Sequence, residues 1–150
     1  MDAELPMNDL PDVPHIQIGA LGAAALVKFS PDRLQSILAA GMQHYGKLAL
    51  VVGDKISRRW LSLSENPFED EISTIAANAG VPGVFLLNLS YEWTCTSSVT
   101  SDPFGIGNRM LRTLDWPMDG LGQNVVVATM EGAAGAYENI TWPGFSGVVT

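Results

Sequence analysis

The 150-residue sequence contains a single cysteine, Cys95. One thiol closes no internal disulfide, and with no export signal a reducing cytoplasm is the expected location. Basic residues are scarce as well: eight Lys and Arg face sixteen Asp and Glu, for a formal net charge of -8. No basic cluster is present to neutralise phosphates, which argues against nucleic acid as a partner. Histidine occurs twice, at His15 and His44, fewer ligands than a metal site requires and neither placed to act as a base for Cys95. The stretch GALGAAALV has neither a GxGxxG pattern nor the Lys-Ser/Thr of a phosphate loop, so no nucleotide cofactor is expected. Long apolar runs are missing: residues 16–29 fall short of the roughly 20 a membrane span needs. The N-terminus MDAELPMNDLPDVPHIQ is acidic and broken by Pro6, Pro11 and Pro14, unlike a signal peptide. The sequons at Asn88 and Asn139 then read as accidental.

What the chain does have is apolar content. Hydrophobic residues make up 47% and charged residues 16%, enough to exclude a wholly disordered chain and to imply one core, or at most two compact units. Residues 1–15 read as an extended arm and 16–29 as strand or linker. A helix is predicted from an N-cap at Ser30, with Pro31 in the first position and Asp32 in the first turn, to about Tyr45, with Leu34, Ile37, Leu38 and Met42 on one face. A second is predicted over 47–61, weakened by Val51, Val52 and Gly53. A third opens at Asn66-Pro67, carries Glu69, Asp70 and Glu71 in its first turn, and stops at Gly80. The apolar stretch 81–93 fits either a buried helix or a strand, and helix is the reading adopted.

From Cys95 onward the texture changes. β-branched and small residues alternate, turns fall at Asp102-Pro103 and at Met118-Asp119-Gly120, and strands are predicted at 95–100, 106–114, 123–130 and 145–150. The chain is therefore read as α+β, helical before the cysteine and mostly strand after it. Its last residues, WPGFSGVVT, end in mid-pattern on an apolar run, so the expectation is the opening piece of a longer protein with unpaired strand edges that favour association.

Taken alone, Cys95 has two readings: a small buried apolar residue, or a nucleophile. Arg112 lies seventeen positions later and Asp115 three beyond that, in NRMLRTLDW. On a strand, positions three apart face opposite sides unless a bulge or the strand end intervenes, and the simplest meaning of the pair is a surface ion contact.

Together, Y-E-x-T-C-T-S-x-V, the following R-x-x-D-W and the terminal ITWPGFSGVVT resemble the self-cleaving cysteine amidases of the acid ceramidase and N-acylethanolamine acid amidase group. These are relatives of bile salt hydrolase and penicillin V acylase within the N-terminal nucleophile hydrolases. The resemblance covers about residues 81–150; the Cys95-to-Arg112 spacing is one residue longer than the family's usual, an excess the Asp102–Gly105 loop can absorb. It implies an αββα sandwich, here partial. Residues 1–94 would be a helical leading segment released by self-cleavage between Thr94 and Cys95, and 95–150 the start of the catalytic part. Cys95 is implied as nucleophile, its freed α-amine as base, Arg112 as the cation beside the thiolate and Asp115 as the acceptor holding the amine. Glu92 and Trp93 are expected to position the cut peptide, and Trp116, Trp142 and Phe145 to be core or pocket wall. The family's asparagine and second arginine would fall beyond Thr150.

The implied activity is hydrolysis of a linear amide of an N-acyl amide substrate, with no cofactor and no metal. The implied partners are that small molecule and the leading segment held against the catalytic one; a second copy of the chain is expected from the unpaired strand edges. An acylase of the bile-salt or penicillin type would use the same constellation, although the long leading segment disfavours it. A non-enzymatic binding or structural domain with a buried cysteine is the remaining reading.

Overall fold

The computed structural model describes residues 12–89, 94–116 and 118–147, with positions 94, 95, 114 and 115 given by their backbone. The fold is α+β. A short strand, β1 (His15–Gly19), is followed by a 3-10 turn at Ala23–Ala25 and five helices. These are α1 (Leu26–Phe29), α2 (Pro31–Tyr45), α3 (Lys47–Leu63), α4 (Glu69–Ala79) and α5 (Val84–Leu89). Strands β2 (Thr94–Ser101) and β3 (Asn108–Asp115) come next, then a 3-10 turn at Gly122–Asn124, β4 (Val126–Gly132) and β5 (Gly135–Thr141).

Helix α2 forms where its signals place it: Pro31 opens it, Asp32 lies in its first turn, and Leu34, Ile37, Leu38 and Gly41 make its buried face. Met42, expected on that face, is 42% exposed. Ser30 occupies the cap position, but its hydroxyl makes no capping bond; the Leu34 N–H donates to the Ser30 carbonyl instead. Helix α3 runs through Val51, Val52 and Gly53 to Leu63 because the glycine serves packing. A Cβ at position 53 would stand 3.1 Å from the Leu86 methyls of α5, so Gly53 lets the two helices approach closely.

Helix α5 is six residues long and takes its N-terminal partner from α3: Asp54 Oδ1 accepts the Phe85 and Leu86 N–H groups at 2.8 and 3.3 Å. Asn66 and Pro67 precede α4 by a turn rather than opening it, with Asn66 Oδ1 accepting the Phe68 N–H, and Gly80 closes α4 in the left-handed region. In 81–93, the helix covers 84–89, and 90–93 lie outside the described residues.

Strand β4 is central in a three-stranded sheet, parallel to β1 and antiparallel to β5. Its inward residues Val126, Ala128 and Met130 are fully buried, and they join Ile18, Leu26, Leu34, Ile37, Leu38, Ile75, Val84, Leu87 and Trp142 in one core. Helices cover one face of this sheet; the other carries the exposed Gln17 and Glu138 and the half-buried Thr129, with Gln17 Nε2 donating to Thr129 Oγ1. The described layers are therefore two. The larger core draws on residues both before and after Cys95, and a smaller one gathers Leu61, Ile72 and Phe85 of the helical part.

Two strand expectations shift. The 123–130 run begins with a 3-10 turn, and its strand starts at Val126. The last strand among the described residues is β5 at Gly135–Thr141; 145–147 are irregular and 148–150 lie outside the described residues. Of the proline-rich arm, only 12–15 fall within the described residues, and His15 already belongs to β1. Both sequon asparagines lie inward. Asn88 is held in three hydrogen bonds and Asn139 is 4% exposed, a burial that closes off sugar attachment to the folded chain.

Gly144 shows how tightly the segment after β5 seats on α2. Its φ is +93°, and a Cβ there would lie 2.5 Å from Leu34 Cδ1. Gly144→Ala is expected to destabilise the fold by about 1–3 kcal/mol through overpacking alone, with backbone strain added. Gly19→Ala, also at positive φ but with open space around it, is expected to cost less. Denaturant unfolding of the two variants against the parent measures the difference.

Candidate functional site

Strands β2 and β3 form a separate antiparallel ribbon with continuous register, from Thr94 opposite Asp115 to Ser101 opposite Asn108. Apart from the half-buried Asp102, every residue from Thr96 to Thr113 is exposed. The tip is stiffened locally. Asp102 Oδ1 accepts the Phe104 N–H at 3.0 Å and meets Arg109 Nη2 at 3.4 Å, and the Arg109 guanidinium lies 5.4 Å from the centre of the Phe104 ring.

The Asp102 N–H also donates to the Gly107 carbonyl, at 3.0 Å, and this fixes the phase of the ladder. Antiparallel pairs alternate between hydrogen-bonded and non-hydrogen-bonded types. With 102/107 bonded, 95/114, 97/112 and 99/110 are non-bonded pairs, and 94/115 and 96/113 are bonded positions. Cys95 is therefore the direct partner of Leu114, and Arg112 is its diagonal neighbour on the same face, at about 7–8 Å between backbone positions. The backbone N–H and C=O of Cys95 point away from β3 and take no part in the ladder.

Of the three expected catalytic residues, the structure brings two positions, 95 and 112, to one face. Asp115 alternates to the other face, as spacing of three on a regular strand requires. It is, however, the last residue of β3 and the partner of Thr94, which sets it level with the peptide expected to be cut. Tyr91, Glu92 and Trp93 lie outside the described residues.

Trp116, Trp142 and Phe145 are wall residues, as expected. Trp142 stacks edge-on against Trp116 at 6.3 Å and Phe145 at 5.6 Å, and its Nε1–H donates to the Leu121 carbonyl. With Leu34, Ile37, Leu38 and Leu87 they line a half-open apolar hollow of about 20 Å³, room for one water-sized body. No ribbon residue lines it. Among the described residues, no group of three His, Cys, Asp or Glu side chains gathers as metal ligands, and no helix is long and apolar enough to cross a membrane.

Sequence reasoning missed a polar tie between the parts before and after Cys95. Asn88 Nδ2 donates to the Val84 and Gly144 carbonyls, both at 2.8 Å, and Asn88 Oδ1 accepts the Ser146 N–H at 2.9 Å. Ser146 Oγ donates to Glu71 Oε2 at 2.7 Å. The one signal was an asparagine amid the apolar VFLLNL, where a half-buried amide needs partners.

No family model matches the chain, and no curated protein or solved structure matches it.

If the tip organises the ribbon, Asp102→Ala should weaken it by about 0.5–1 kcal/mol, since one turn bond and one exposed ion pair are lost. Amide exchange at 98, 100, 109 and 111 should then quicken, while exchange in β4 stays unchanged. Equal protection in parent and variant would mean that the tip contributes nothing to ribbon stability.

Proposed function

We propose that the chain is a self-processing cysteine amidase of the N-terminal nucleophile type. Its leading part is 1–94 and its catalytic part begins at Cys95. The observation that carries this reading is the ribbon register, which makes positions 95 and 112 neighbours on one face and sets Asp115 beside Thr94.

The chemistry follows from these positions. The Cys95 thiolate attacks the Thr94 carbonyl carbon; the peptide C–N bond breaks, a thioester forms, and the departing Cys95 nitrogen takes a proton to become a free α-amine. Water then opens the thioester, giving a Thr94 carboxylate and restoring the thiol. Cys95 stands in a non-bonded pair, so its nitrogen carries no bond to β3 that cleavage must break. The new amine acts as general base for the thiol, Arg112 supplies positive charge that favours the thiolate, and Asp115, on the other face of the intact ribbon, accepts hydrogen bonds from the amine once cleavage frees it to turn from its outward direction. The same thiolate next attacks the carbonyl of an N-acyl amide, forms an acyl-enzyme as the amine leaves, and is freed by water.

Cleavage leaves the two parts associated. Strand β1 stays paired with β4, the core is shared, and Asn88 and Glu71 remain bonded to 144–146. The choice of N-acyl amide as substrate rests on the resemblance.

Denaturing intact-mass measurement on the full-length gene product tests the reading. Two fragments meeting at Thr94 and Cys95 are expected, absent in Cys95→Ala and comigrating under native conditions. Arg112→Gln should slow processing on the order of 100-fold. A single uncut mass across the pH range overturns the proposal.

A further inference from the structure

The β2–β3 ribbon poses a problem of its own, independent of whether Cys95 is a nucleophile. A lone two-stranded ribbon is marginally stable in water, and this one leaves Val99, Met110 and Leu111 more than half exposed. Among the described residues, no third strand pairs with either of its edges. The two edges differ. Strand β3 carries Arg109, Arg112 and Asp115, the kind of charge that blunts an edge. Strand β2, TCTSSVTS, is eight residues long with no charge, proline or glycine, and its register has no bulge. None of the usual protections is present on that edge.

We infer that the outer edge of β2 is a pairing surface for the same strand of a second copy, giving a four-stranded sheet in the order β3-β2-β2-β3. Ladder phase decides which groups meet. The outward N–H and C=O groups belong to 95, 97, 99 and 101, the members of the non-bonded pairs with β3. Antiparallel pairing about a two-fold axis at Ser98 sets 95 opposite 101 and 97 opposite 99, so every outward residue finds a partner. This contact is isologous. An uncharged strand meets its own copy without like-charge repulsion, whereas β3 against β3 would bring arginines together. The same register makes the two Val99 residues diagonal neighbours and merges the exposed Val99 and Met110 of both copies into one apolar strip. The competing surface is α3, whose exposed Leu48, Val52, Ile56, Trp60 and Leu63 form a stripe. Lys55 and Arg59 lie on that same helix, so α3 against α3 would bring cations together.

Analytical ultracentrifugation under reducing conditions tests the inference, using the full chain and its Cys95→Ala form so that processing and thiol crosslinking play no part. A dimer is expected. Ser97→Pro removes an outward N–H and leaves the bonds to β3 intact, so it should raise the dimer dissociation constant about tenfold or more, since the loss occurs twice in a symmetric pair. Val99→Lys, which places cations diagonally across the two-fold axis, should do the same without touching the backbone. Ile56→Ser on α3 should leave the dimer unchanged. A monomer at all concentrations, or a dimer weakened by Ile56→Ser and indifferent to both β2 variants, overturns the inference.

Discussion

The rest of the structure depends on the burial of one face of β4. Val126, Ala128 and Met130 can leave water only under a cover, and much of that cover comes from helices that precede Cys95. At about 25 cal/mol per Å² of apolar surface, such burial is the dominant favourable term available to the chain. It fixes the order of events in sequence: β1 must lie parallel to β4, so the helices form the connection between them. The β2–β3 ribbon emerges near the end of that connection, between α5 and β4. Because that core is shared, residues before and after position 94 pack against one another.

Much of the helical half was legible in the sequence, because its signals are local. Pro31 and Asp32 mark a helix start, Gly80 a stop, and Leu34, Ile37 and Leu38 a buried face. The texture change at Cys95 coincides with the first strand after the helices. What escaped depends on contacts between distant residues. Gly53 looks like a helix breaker until Leu86 of another helix is seen above it, and Asp54 looks like a surface acid until α5 needs a cap. Strand β5 is hidden in the sequence because Glu138 and Asn139 interrupt its apolar pattern, yet Asn139 is buried opposite Ala128. Met42 points outward although its spacing fits the inner face.

The candidate site was legible as residues and not as geometry. Spacing of seventeen between Cys95 and Arg112 says nothing about which face each occupies; a turn at 102–107 and an unbroken ladder decide that. A shift of one residue would carry Cys95 to the opposite side from Arg112. The same ladder phase governs both readings of the ribbon: it leaves the Cys95 nitrogen outside the bonds to β3, and it turns the unpaired groups of β2 outward along an uncharged edge.

Register is therefore the central claim, and the lone thiol offers a direct measurement of it. In a non-bonded antiparallel pair the Cα atoms lie about 4.5 Å apart, within the roughly 4.4–6.8 Å a disulfide spans. Leu114→Cys should close an intramolecular bond with Cys95 under mild oxidation, seen as the loss of two hydrogens in intact mass, whereas Thr113→Cys should stay reduced. A bond that forms with position 113 and not with 114 would place Cys95 and Arg112 on opposite faces and contradict the account.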